Sequence, residues 1–142
     1  MKRFNVRLLR IDDVPQLLPL WSKYCESIGE KVDAGRFLNI VASYLKVPGY
    51  MFLVLESGEK VVGFADCLAL ETFFEPYRIG VSNFIYVLPG RSDGSGFLAG
   101  WVIKCLKRMG AKELRISCKD RLVPFWGRHK FVEYQHFMKR EL

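Results

Sequence analysis

Apolar positions along this chain change period several times, and each change marks an element. Phe4, Val6 and Leu8 alternate with Asn5, Arg7 and Leu9, the pattern of a strand over Phe4 to Arg10. From Val14 the spacing becomes helical through Leu17, Leu18, Trp21, Tyr24, Cys25 and Ile28, with Asp12 or Asp13 as N-cap and Pro15 in the first turn. Pro19 interrupts that helix and Gly29 ends it. Asp33 suits the cap of a second helix with the stripe Phe37, Ile40, Val41, Tyr44 and Leu45, stopped by Pro48-Gly49. Tyr50 to Glu56 and Val61 to Leu70 then form a hairpin around the turn Ser57 to Lys60. Thr72 to Gly80 is an irregular link. Further on, Glu113 to Cys118 is a short strand, Arg121 to His129 a short helix, and Val132 to Arg140 a closing strand. The order is β-α-α-β-β-β-α-β-α-β, an α/β chain, with no repeat, linker or low-complexity tract to divide residues 1–142 into more than one domain.

The stretch from Ser82 to Gly96 carries the strongest chemical signal. An aromatic and β-branched strand is stopped by Pro89, a glycine-containing loop follows, and then a helix with the stripe Leu98, Trp101, Val102, Cys105, Leu106 and Met109. The first N–H groups of a helix have no partner inside it and carry partial positive charge, so strand, loop and helix in series suit an anion such as phosphate. Gly94 and Gly96 permit close backbone approach, and Arg91 adds a charge at the mouth. The helix is expected to begin within two residues of Gly96, with Gly94 in the loop; Gly94 buried in a continuous helix, or a fully parallel sheet, would end the reading. Neither the GxxxxGK[ST] spacing of a nucleotide-triphosphate loop nor the GxGxxG order of a dinucleotide fold is present.

Composition narrows the classes. The chain has 142 residues, half of them hydrophobic and 14% aromatic, enough for a proper core. No apolar run approaches the ~20 residues of a membrane span, and the N-terminus has no signal-like segment, so the expected location is cytoplasmic, without a membrane partner. Cys25, Cys67, Cys105 and Cys118 lie too far apart for a metal site and read as thiols, mostly in the core. The net charge of +7 is uneven: residues 1–75 hold 9 Lys/Arg against 10 Asp/Glu, and residues 76–142 hold 13 against 5. The basic half contains the phosphate-like loop. That asymmetry suits a phosphate-bearing ligand, a nucleic acid or a solvated basic face alike, but no strand interleaves aromatic and basic residues as nucleic-acid readers do.

Arg91-x-x-Gly94-x-Gly96, preceded by Val87-Leu88-Pro89, resembles the acetyl-CoA signature of the GNAT N-acetyltransferase superfamily. The element order over the whole chain is similar to that family's, and Phe125-Trp126-Gly127-Arg128-His129-Lys130-Phe131 resembles its terminal Phe-Tyr-x-x-x-Gly-Phe segment. The resemblance implies a mixed, mostly antiparallel sheet with helices on both faces, and acetyl-CoA as cosubstrate. The pantetheine arm would pair with backbone groups of Ile85, Tyr86 and Val87, and the pyrophosphate would lie on Arg91 and the amides of Ser92, Asp93, Gly94, Ser95, Gly96 and Phe97. The implied reaction is N-acetylation of a primary amine, small or borne on a protein.

Two departures from the family pattern bear on catalysis. Trp126 stands where the family has its Tyr acid, and an indole cannot release its proton. Lys130 replaces the glycine before Phe131, and the usual carboxylate base maps near Asn83, which cannot take a proton. Tyr134 and His136, on alternate positions of the closing strand, are the candidate acids. Asp66, Glu71 and Glu75 are candidate bases or solvated carboxylates, and Trp21, Tyr24, Glu26 and Glu30 candidate walls for the acceptor. Trp126 itself reads as a core aromatic. The alternative to an enzyme is a GNAT-fold binding or assembly module without turnover.

Overall fold

A computed structural model describes residues 3–91, 93–118, 122–135 and 138–142. The chain runs through strand β1 (Phe4–Leu8), a 3-10 turn (Ile11–Asp13), helices α1 (Val14–Ile28) and α2 (Ala34–Tyr44), and strands β2 (Tyr50–Ser57), β3 (Lys60–Leu70), β4 (Arg78–Ser82) and β5 (Ile85–Val87). Helix α3 (Asp93–Arg108), strand β6 (Ala111–Ile116) and helix α4 (Val123–Arg128) complete it. The strands form one sheet in the order β1-β2-β3-β4-β6, with β5 on β3 beside β4. All pairings are antiparallel except β4 with β6.

Strand β2 explains why both faces carry helices. Its run Phe52-Leu53-Val54-Leu55 is buried throughout, since alternate side chains enter opposite cores. Leu53 and Leu55 meet Leu98, Val102 and Leu106 of α3. Phe52 and Val54 meet Leu17 and Leu20 of α1 and Phe37 and Val41 of α2. The helical stripes of the sequence therefore face the sheet as their spacing requires. Gly29 ends α1 in the left-handed region, and Asp33 caps α2 by accepting the Arg36 amide at 2.9 Å.

Asp13 does not cap α1. Its carboxylate accepts both arms of the Arg7 guanidinium at 2.6 and 2.7 Å and the Arg10 amide at 2.7 Å, and its side chain is 5% exposed. The Arg7 hydrogen bonds hold the Asp13 carboxyl below its ordinary range, against burial, which opposes them. The stabilisation is therefore complete above the unfolded-state value of about 3.9 and disappears as pH falls through the lower folded value. Asp13→Asn should cost about 2 kcal/mol at pH 7 and progressively less in acid. Urea midpoints across a pH series check this; a constant gap between variant and wild type would refute it.

Three expected boundaries shift. The helix after the glycine loop begins at Asp93, one residue outside the expected window, and Gly94 is its buried second residue, the outcome that was to end the reading. The loop reading of Gly94 fails, whereas the mostly antiparallel sheet with helices on both faces is present. The Gly94 amide donates to the Arg91 carbonyl at 2.8 Å, so the turn tightens into helix before Gly96. The expected single strand before the loop is two strands, β4 and β5, and β4 takes in Arg78 to Gly80 from the supposed link. Residues 131–135 and 138–142 form no strand, so the closing strand is not observed among the described residues. The sheet still has six strands because the broken strand counts twice.

Candidate active site

Asn83 and Phe84 interrupt the strand between β4 and β5, and the buried carboxylate of Asp66 on β3 holds that break together. Oδ1 of Asp66 accepts the Asn83 amide at 2.7 Å, the Phe84 amide at 3.3 Å and the Ser82 hydroxyl at 3.5 Å. Its Oδ2 accepts Asn83 Nδ2 at 2.6 Å and the Tyr50 hydroxyl at 2.8 Å. Backbone donors that lost their ladder partners at the break find this side chain instead. Asp66 is thus a fully buried brace rather than a solvated carboxylate, and Asn83 serves as its donor.

Past the break, β5 pairs with β3 on one side only, while β6 pairs with β4. The Leu88 amide donates to the Val62 carbonyl at 2.9 Å and the Asp66 amide to the Phe84 carbonyl at 3.3 Å. Antiparallel pairs alternate, so Tyr86, opposite Phe64, also turns its backbone groups into the ladder. Ile85 and Val87 turn theirs outward, to the side where β5 has no neighbouring strand among the described residues. Tyr86 accordingly offers no free backbone edge, and its ring lies against Tyr24 and Phe64. Gly63 permits the close approach of β5: a Cβ there would stand 2.7 Å from the Tyr86 carbonyl oxygen.

The start of α3 adjoins this edge. An added Cβ at Gly94 would meet Leu55 at 2.8 Å and Phe4 at 3.3 Å, so this glycine serves helix-on-sheet packing, and its amide is spent on Arg91. Phe97 lies past the first four residues, so helical geometry commits its amide to the Asp93 carbonyl. The first-turn amides of Asp93 and Ser95 remain for a ligand, whereas Gly96, the fourth helical residue, closes the first turn with its amide; Ser92 lies outside the described residues. Arg91 Nη1 is buried and has no hydrogen-bond partner among the described residues, a guanidinium nitrogen prepared for an anion. The sequence hid one neighbour. His129, past the end of α4, brings Cε1 to 3.3 Å from where a Gly96 Cβ would lie. No spacing rule connects positions 96 and 129; only the packing of Phe125, Trp126 and His129 does.

Of the candidate acids and bases, Tyr134 and Glu75 meet at Arg115, while Asp66 lies at the strand break. Tyr134, 64% exposed, lies with its ring under the Arg115 guanidinium, at 4.7 Å from the ring centre. Arg115 pairs with Glu75 and Glu113, and Glu75 also accepts the Thr72 hydroxyl, so Glu75 belongs to an ion-pair network. Glu71 is exposed beside Arg78. His136 lies outside the described residues. Trp126 is buried against Phe125 and Phe131. Burial pushes the Cys67 thiol up to about 12, which removes it as a nucleophile.

On the opposite face of the break, a cleft of about 300 Å³ opens between α1, α2 and the sheet. Trp21, Phe37, Tyr44, Tyr50 and Phe84 wall it, with Trp21 stacked on Phe37 at 4.0 Å. Trp21 is the only one of the four expected acceptor walls that lines it. Tyr24 packs into the aromatic core beside Phe64, and Glu26 and Glu30 do not reach the cleft.

No protein-family model matches the sequence, and a search of curated proteins finds no match. Solved structures match over almost its whole length. A glucosamine-6-phosphate N-acetyltransferase from Arabidopsis thaliana superposes with a TM-score of 0.80 at 13% identity, covering 98% of this chain and 98% of that one. An aminoglycoside N-acetyltransferase in complex with CoA gives 0.80 at 14% identity, covering 100% of this chain and 96% of its own. A transcriptional regulator from Bacillus halodurans gives 0.83 at 14% identity, covering 99% and 100%. At such identities the likeness is one of fold. Among the described residues, no helix is long and apolar enough to cross a membrane.

Proposed function

We propose that this chain, which has the fold of the GNAT acetyltransferases, transfers an acetyl group from acetyl-CoA to a primary amine. The observation that carries the reading is the one-sided strand β5 beside the start of α3. Backbone groups of Ile85 and Val87 point outward there, next to a buried Arg91 Nη1 without a partner among the described residues. That pairing of an open strand edge with a phosphate-ready cation fits a long ligand with amide groups at one end and phosphates at the other. Acetyl-CoA supplies an activated acetyl carbon. Ile85 and Val87 would align its arm as an added strand, and the outward Val87 N–H would polarise the thioester carbonyl. Arg91 and the first-turn amides of Asp93 and Ser95 would hold its phosphates. Positioning then carries most of the catalysis. The neutral amine attacks the thioester carbon and the C–S bond breaks. The amine's proton leaves to solvent and the thiolate takes one from solvent, with Tyr134 held at Arg115.

Acetyl-CoA and CoA should each raise the melting temperature of the wild type by mass action. Arg91→Ala should weaken both ligands about 10- to 100-fold, because a charge-assisted bond to a buried guanidinium is lost. Calorimetric titration reads this directly. Equal affinity in the two proteins would put the phosphates elsewhere, and no binding by the wild type would end the reading. The buried Trp126 favours a second reading, a binding module without turnover. Firm acetyl-CoA binding with no product from a broad amine panel would select it.

A further inference from the structure

The cleft on the α1–α2 face has a polarity imposed from beneath. Asp66 lies at its floor and only accepts hydrogen bonds, so its neighbours must turn their hydrogens inward. The Tyr50 hydroxyl spends its hydrogen on Asp66 Oδ2, which leaves the oxygen lone pairs for the cleft. Asn83 donates Nδ2 to the same oxygen, which turns its carbonyl oxygen outward from an exposed position on the cleft. Burial and the adjacent Asp66 push the Tyr50 phenol far up, so it keeps its proton across the physiological range. Among the described residues no Lys or Arg pairs with Asp66. The floor thus presents two acceptors backed by a buried carboxylate, and Trp21, Phe37 and Phe84 offer ring surface around it. Acceptors, aromatic walls and an uncompensated carboxylate together suit an ammonium group. The mouth differs. Lys31 and Arg36 line it and are exposed, and Asp33 beside them spends Oδ1 on the Arg36 amide.

From this arrangement we infer that the cleft takes the single primary ammonium of a small aromatic or apolar amine, one without a second cation at its outer end. The inference rests on the acetyl-transfer reading only in naming this ligand as the acceptor, which would give one proton to solvent before its nitrogen reacts; the binding itself does not depend on acetyl-CoA. A volume of about 300 Å³ admits a compact amine and excludes a large one. A polyamine would lay its far charges against Lys31 and Arg36.

Three probes test it by calorimetry on the full chain: phenethylamine, its hydroxyl analogue 2-phenylethanol, and spermidine. Phenethylamine should bind at least about tenfold tighter than either of the others. Tyr50→Phe should lose about tenfold or more for the amine and leave the alcohol nearly unchanged. Asn83→Leu, at an exposed position, gives a second variant with the same expected loss should Tyr50→Phe fold poorly. Failure of phenethylamine to bind, equal affinity for the alcohol, tighter binding of spermidine, or unchanged amine affinity in a folded variant would each overturn the inference. Acetyl-CoA titrated into the same samples separates the two readings. Acetyl-CoA binding without amine binding removes only this inference, whereas amine binding without acetyl-CoA binding removes only the acetyl-transfer reading.

Discussion

Asp66→Ala should destabilise the protein by about 3–5 kcal/mol, the range seen when one side of a buried charged arrangement is removed. Five donors converge on this carboxylate, and four of them, the amides of Asn83 and Phe84, Asn83 Nδ2 and the Tyr50 hydroxyl, lie within 3.3 Å. Each donor left unpaired in the interior costs about 1–3 kcal/mol, offset where the exposed Asn83 regains water and where the carboxylate no longer has to be desolvated. A domain of this size has about 5–15 kcal/mol in all, so the melting temperature should fall by about 10 °C or more. Asp66→Asn separates acceptor capacity from shape. It keeps the volume but supplies one acceptor oxygen and an NH2 that opposes the inward-turned donors, so it should recover only part of the loss. Denaturant unfolding of both variants checks this. A loss below about 1 kcal/mol for Asp66→Ala would mean that the strand break holds without its brace.

If the chain transfers acetyl groups as proposed, Gly63→Val should lower turnover about 100-fold and weaken acetyl-CoA binding, well beyond its effect on stability. The valine Cβ would lie 2.7 Å from the Tyr86 carbonyl oxygen and 3.3 Å from Val87 Cα, and these are backbone atoms that cannot rotate away. β5 must move outward, and with it the outward-facing groups of Ile85 and Val87. Overpacking of this kind typically costs about 1–3 kcal/mol in folding. A displacement near 1 Å of groups that align a reacting carbonyl costs about 100-fold in rate. Gly80→Ala is the control. There the added Cβ meets only the end of the Leu106 side chain, at 2.6 Å, so strain falls on the α3 core and not on β5. Acetyl-CoA titration beside thermal unfolding distinguishes the two. If Gly63→Val loses stability but keeps wild-type acetyl-CoA affinity, the edge of β5 is not where the ligand binds.

Local information alone placed most elements. Helical and alternating periods, Gly29, Asp33 and Pro48-Gly49 marked α1, α2 and the β2–β3 hairpin, because burial of one stripe or face dictates which positions are apolar. The helix stripe from Leu98 to Met109 was legible for the same reason, and so was the buried place of Trp126. What stayed hidden depends on partners distant in sequence. Nothing near Asp66 announces a buried carboxylate; it became one because Asn83 and Phe84, 17 and 18 residues on, lost ladder partners and turned their amides toward it. The break between β4 and β5 is likewise a product of pairing, since Val81 opposes Leu68 while Ile85 opposes Ala65, and the run of residues carries no breaker there. Gly94 looked like a phosphate glycine and is a packing glycine, because Phe4 and Leu55 arrive beneath it. The alternation over 132–140 suggested a strand, but its described residues join no ladder, and Tyr134 lies on Arg115 instead. Sequence thus decided which segments fold and how, whereas contacts between segments decided which side chains meet at the site, because hydrogen-bond satisfaction and packing are settled only once distant strands are in register.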